Sequence, residues 1–225
     1  IFKEGSMVIP GSVTFDDRYY SVKITADHLG IDVSLYLKEL VGKRIEGQNS
    51  GVVATVKNYS LPPNDNVEDI TLYVKYSTSG SDFETEFFED GELLILLDNL
   101  TYGNTTINSG NTVATLLDFE ATATGSAVGL GSGVYFIRGT FVDVKESLVI
   151  LEPYSNTPTY RVGLSILEEI VNSNDDESLN DNARGFSNYA APGADRFKIS
   201  TVLSKKDIDD FDDKNFVELI RIDNG

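Results

Sequence analysis

Tyr19-Tyr20-Ser21-Val22-Lys23-Ile24-Thr25 decides the fold class. Side chains two apart fall on the same face of an extended chain, so Tyr20, Val22 and Ile24 form one apolar row. Aromatic and β-branched residues fit such a pleated, half-buried surface. The same habit recurs outward along the chain in Val52–Tyr59, Ile70–Ser77 and Val134–Phe141. Turn signals separate these runs at Pro10-Gly11, Gly47-Gln48-Asn49-Ser50-Gly51, Pro62-Pro63-Asn64-Asp65-Asn66 and Asn108-Ser109-Gly110-Asn111. Residues 139–151 read as a hairpin, with Gly139–Val144 and Leu148–Leu151 joined across Lys145-Glu146-Ser147. Thr159–Val171 reads as a further strand.

Helical patterns are few. Asp32–Leu40 places Val33, Leu37 and Leu40 on one face, with Asp32 as N-cap and Gly42 beyond the end. Asp176–Asn182 predicts one turn, and Lys205–Phe211 another behind a Ser204 cap. The expectation is an all-β chain with short helical connectors. A composition shift at Ala121–Gly133 suggests two bodies. Residues 1–42 and 126–225 would form a sandwich or barrel-like host domain, and 43–125 an inserted small β module.

Composition narrows the function classes. The chain carries 36 acids and 18 bases, for a net charge of −18, shared equally by its two halves. Such a surface repels nucleic-acid backbones. No apolar run approaches the ~18 residues of a membrane-spanning helix. With no Cys and one His, disulfides, thiol nucleophiles and a closed zinc site are unavailable. The chain starts at Ile1 without Met and stops at Gly225 behind an apolar alternation, so it reads as part of a longer protein.

Three clusters invite chemistry, and the residues argue against each. Gly129-x-Gly131-x-Gly133 opens a strand, whereas a phosphate-binding loop opens a helix. Asp27-His28 has no nucleophile motif beside it and reads as a turn pair. Asp207-x-Asp209-Asp210-x-Asp212-Asp213 lacks the glycine of a calcium loop and reads as a solvated turn. No catalytic, cofactor or metal residue is therefore assigned. The aromatics, 11 Tyr and 12 Phe without Trp, fit core and cross-strand pairs better than sugar platforms.

The most distinctive stretch is Gly185-Phe186-Ser187-Asn188-Tyr189-Ala190-Ala191-Pro192-Gly193-Ala194-Asp195-Arg196-Phe197-Lys198-Ile199, preceded by Glu177–Ala183. Together with Gly133–Val142, Tyr160–Leu164 and Glu4–Gly11, it resembles an uncharacterised domain of large structural proteins of contractile-tailed bacteriophages, cyanophages among them. These are tail, baseplate or tail-fibre-associated proteins. The resemblance covers 1–41 and 126–223 and is weak across 43–125. It implies a virion structural component made in the bacterial cytoplasm and built into the tail. Partners would be other tail or baseplate proteins and further copies of the chain, a trimer being one arrangement. Neither nucleic acid nor membrane insertion is implied, and no catalytic residue carries over. A carbohydrate- or receptor-binding fibre module, with a host surface glycan as ligand, is the alternative. A polysaccharide depolymerase ranks third. Physically, Pro192-Gly193 sets a corner in which Asp195 would accept backbone N–H groups and Arg196 would pair with a carboxylate.

Overall fold

The computed structural model describes residues 2–63, 67–187 and 189–225. The turn expected at Asn64–Asn66 and the motif residue Asn188 lie outside them. The fold is all-β. In chain order the strands are β1 (Met7–Ile9), β2 (Val13–Ile24), β3 (Asp27–His28), β4 (Ile31–Asp32), β5 (Arg44–Gly47) and β6 (Val53–Ser60). There follow β7 (Ile70–Thr78), β8 (Leu93–Leu96), β9 (Leu100–Tyr102), β10 (Thr105–Ile107), β11 (Thr112–Thr115) and β12 (Thr122–Leu130). The last six are β13 (Gly133–Ile137), β14 (Thr140–Val144), β15 (Ser147–Glu152), β16 (Tyr160–Val171), β17 (Arg196–Asp207) and β18 (Phe216–Ile222). A single turn of α-helix, α1 (Leu37–Leu40), lies between β4 and β5.

The chain divides into two units. The first comprises 1–14, 129–149 and 159–223, and the second 15–128, 150–158 and 224–225. An inserted middle body was expected, but its start lies at residue 15 rather than 43. The reason is burial. β2 pairs with β7 from Tyr20↔Val74 to Ile24↔Ile70. Val22 and Ile24 then share one core with Leu37, Leu40, Ile45, Val56, Leu72 and Leu96. Cutting at 43 would strip that core of a strand and its covering helix. Residues 150–158 belong to this unit as well, through a second cluster of Ile150 with Tyr19, Tyr73 and Ala127 and Tyr154 Oη at 2.8 Å from Thr71 Oγ1.

The second unit is built on an eight-stranded sheet in the order β11-β8-β5-β6-β7-β2-β12-β15. Val33, Leu37 and Leu40 are fully buried, as their spacing required. The helical stretch is broken, though: a 3-10 turn at Val33–Leu35, capped by Asp32 accepting from Ser34 N at 2.8 Å, precedes α1. Two polar locks hold the loops. His28 is buried, with Nδ1 3.0 Å from Thr115 Oγ1 and Nε2 2.9 Å from Thr112 Oγ1. Burial lowers its pKa below the ordinary imidazole value. Glu92 is 1% exposed. Its carboxylate accepts from Asn49 N (2.9 Å), Ser50 N (3.0 Å), Ser50 Oγ (2.8 Å) and Glu89 N (2.8 Å).

The first unit carries two three-stranded antiparallel sheets, β1-β13-β14 and β17-β16-β18. Two expectations fail here. Residues 139–151 are not a hairpin: β14 turns back on β13 through Arg138-Gly139, with Ile137 facing Thr140. Both turn residues have positive φ, +52° and +80°, the geometry a two-residue hairpin requires. β15 instead follows β12 at the edge of the large sheet. Nor do residues 205–211 form a helix. β17 runs extended to Asp207, paired with β16 at every position from Val171↔Arg196 to Tyr160↔Asp207. A continuous ladder satisfies more backbone groups than a short isolated helix, whose nucleation is costly. The turn expected at 176–182 is a 3-10 turn, Glu177–Leu179, capped by Asp176.

Candidate docking edge

The β16–β17 pair is longer than its neighbour. β18 pairs with β16 only over residues 160–165, so residues 166–171 and 196–201 continue as a two-stranded arm. β17 ends its sheet and β14 ends the other sheet of this unit. Consecutive residues of both strands, Phe141–Asp143 and Phe197–Ile199, line a groove of about 660 Å³. Consecutive lining means that each strand shows the groove its backbone edge and not one face. The groove's flank continues along β17, where residues 198–203 face 143–148 across about 570 Å³.

The orientation of β17's backbone follows from one hydrogen bond. Ile166 N donates to Asn215 O at 2.8 Å, on the β18 side. Ile166 therefore turns its backbone away from its register partner Thr201. In an antiparallel ladder that pair is the non-hydrogen-bonded kind, so Thr201 also points its N–H and C=O outward. With period two, Phe197, Ile199, Thr201 and Leu203 all do so. Among the described residues none of these outward groups has a backbone partner outside the ladder.

The side chains of β17 at this edge are apolar and basic, and the facing wall adds the acids Asp143 and Glu146. Phe197 is 63% exposed, and Phe141, Ile170 and Val202 are exposed as well. From Arg196 to Lys206 the strand holds Arg196, Lys198, Lys205 and Lys206 and no acid, in a chain with twice as many acids as bases. Lys198 Nζ sits 2.6 Å from Glu169, which raises its pKa. Among the described residues Arg196 Nη1 reaches only the carbonyls of Ala194 (3.2 Å) and Asp195 (3.4 Å). Asp176 lies at the groove's end, its pKa held down by hydrogen bonds from Ser178.

The Pro192–Arg196 corner leads into this edge, but its hardware differs from expectation. Asp195 is exposed, and among the described residues its carboxylate accepts no hydrogen bond. The tie is Asp181: its N–H donates to Ala191 O (2.9 Å), its C=O accepts from Ala190 N (2.8 Å), and its carboxylate accepts from Ala183 N (2.8 Å). Pro192 bridges Asn180. Gly193 is needed because a Cβ there would stand 1.9 Å from Leu179 O.

The other clusters resolve structurally. At Gly133 a Cβ would meet Ile9 O and Gly11 N at 2.7 Å, so this glycine permits close strand packing. The acidic run is partly a counter-charge. Arg161, buried in β16, donates to Asp213 (2.7 Å), Glu218 (2.5 Å) and the Asp210 carbonyl. These partners raise its pKa. Sequence reasoning missed Arg161 and Glu92, because nothing local marks a charge as buried. Among the described residues no group of three or more His, Asp or Glu side chains is placed to hold a metal, and no helix is long and apolar enough to cross a membrane.

A protein-family model described as a domain of unknown function, DUF4815, matches residues 94–225, more than half of the chain. The chain belongs to the DUF4815 family. The DUF4815 match starts inside β8 and contains β14, β16, β17 and β18, hence both walls of the groove. No curated protein and no solved structure matches the chain.

Proposed function

We propose that this DUF4815 chain is a structural component of a tailed-bacteriophage virion, working in the tail or baseplate by docking onto neighbouring proteins and catalysing no reaction. The observation that carries the docking role is the outward backbone of β17 beside exposed Phe197, Phe141 and Val202. Long unpaired edges are normally blunted or covered, so one flanked by apolar side chains is a natural site for partner pairing. The phage setting is supported by the resemblance of the 185–199 stretch and its flanks to contractile-tail structural proteins. In this reading the chain is made in the bacterial cytoplasm and resides in the virion, with other tail proteins and further copies of itself as neighbours. Mass spectrometry of purified particles is the test: peptides of this chain at constant stoichiometry are expected in virions, and their confinement to the lysate would overturn the reading.

One observation favours a second reading, a carbohydrate- or receptor-binding module. In the second unit Tyr20, Tyr76 and Phe87 meet at ring distances of 5.3–5.5 Å. They line a cleft of about 310 Å³ with Ser77, Thr78 and Ser79, which pairs stacking surface with hydroxyl donors. Retention on a host-glycan array, lost in Phe87→Ala, would support it.

A further inference from the structure

The docking role leaves open what β17 receives, and the geometry of its edge answers in chemical terms. We propose that β17 takes up a single extended strand of a partner polypeptide, apolar on one face and acidic on the other. This inference rests on the docking reading above.

The backbone supplies the first requirement. Phe197, Ile199, Thr201 and Leu203 offer donors and acceptors at every second residue, which only another extended chain matches along their whole length. The side chains supply the second. On β17, Phe197, Ile199 and Leu203 lie on one face, and Arg196, Lys198 and Val202 on the other. A strand laid beside it brings its own alternate residues next to these two rows. Apolar residues suit the Phe197–Ile199 row, and carboxylates suit Arg196 and Lys198.

The fold already contains part of such a match. On the inner side, β16 presents Ile170 to Phe197 and Glu169 to Lys198, while its other exposed acid, Glu168, falls on the Ile170 row opposite Ile199 and pairs with Arg138. The outer edge of β17 repeats the same problem without that solution. Lysine on an open edge is a usual guard against promiscuous pairing. Here Lys198 is turned to Glu169, while among the described residues Arg196 meets only carbonyls, so a cationic charge next to Phe197 has no carboxylate bonded to it there. An acidic strand is selected over a neutral or basic one at that point.

The test is a fluorescence-anisotropy titration of the whole chain with a labelled synthetic peptide based on residues 164–171, the stretch of β16 that faces this part of β17, with Leu167→Glu and Glu168→Val so that both glutamates fall on one face. The peptide is expected to bind saturably. Replacing its two glutamates by lysine, or N-methylating alternate backbone nitrogens, should weaken binding by about ten-fold or more. On the protein, Arg196→Glu should weaken the acidic peptide and restore the lysine version. Thr201→Pro removes an outward N–H without touching the ladder to β16, so it should block binding while the melting temperature stays near that of the parent chain. Absence of saturable binding, or binding indifferent to both peptide controls, would overturn the proposal. So would sedimentation showing that the chain already dimerises through this edge, with Thr201→Pro restoring the monomer, because the occupant would then be a second copy. None of these outcomes depends on whether the chain is found in virions.

Discussion

Replacing Glu92 by alanine removes the acceptor of four hydrogen bonds. Two of the donors, the N–H and O–H of Ser50, belong to a residue only 5% exposed, so water does not readily take over. The N–H groups of Asn49 and Glu89 are better placed to find solvent. A hydrogen bond to a charged group contributes about 1.5–3 kcal/mol, and an orphaned buried donor costs about 1–3 kcal/mol. Two such donors put Glu92→Ala at about 3 kcal/mol. For a unit of this size each kcal/mol moves the melting temperature by about 4 °C, giving a fall of about 12 °C. Glu92→Gln keeps one acceptor oxygen but turns an amide N–H₂ towards other donors, so it should cost roughly half as much. Urea denaturation followed by tyrosine fluorescence measures both variants. A loss below about 0.5 kcal/mol for Glu92→Ala, the level of an ordinary surface substitution, would refute the claim that this carboxylate locks the 47–51 loop.

His28 gives a pH test. Its folded pKa lies below the ordinary value of 6.5, so the unfolded chain takes up the proton first as pH falls. Stability from this group is complete above pH 6.5 and declines as pH drops below it; melting curves at pH 7.5 and 5.5 should show a decline that His28→Gln reduces. Asp98 behaves as a depressed carboxylate, held down to about 2 by the Arg44 guanidinium. Its contribution is present above pH 4 and lost as pH falls towards 2, and acid-denaturation curves of Asp98→Asn should lack that component. At the corner, Gly193→Ala should accelerate hydrogen exchange at Asp181 and Ala190, because the new methyl must push Leu179 aside. Asp195→Ala should leave exchange and melting unchanged.

The sequence made the strands legible because their signal is local. Val22, Ile24, Leu72 and Val74 alternate with their neighbours wherever the sheet places them. It did not reveal which strand pairs with which. Gly139–Val144 and Leu148–Leu151 look like hairpin partners on spacing alone, yet the real turn is Arg138-Gly139, inside what reads as one continuous strand. Lys205–Phe211 looked helical because its acids suit a first turn, but the ladder to β16 determines its conformation. Buried charges were opaque for a different reason. Thirty-six acids look alike in one dimension, and only the fold sets Glu92 beneath Ser50 or Glu218 against Arg161. The docking edge was hidden most fully. The 185–199 stretch pointed to its neighbourhood through Arg196, but an unpaired edge is a property of sheet order, which no residue encodes by itself.

The most direct measurement is a cryo-electron microscopy reconstruction of the particle that carries this chain, at a resolution that separates strands. An extended segment of a neighbouring protein is expected along β17, paired with Phe197, Ile199 and Thr201, with carboxylates beside Arg196. A well-resolved chain whose β17 edge faces solvent, with its neighbours contacting other surfaces, would contradict it.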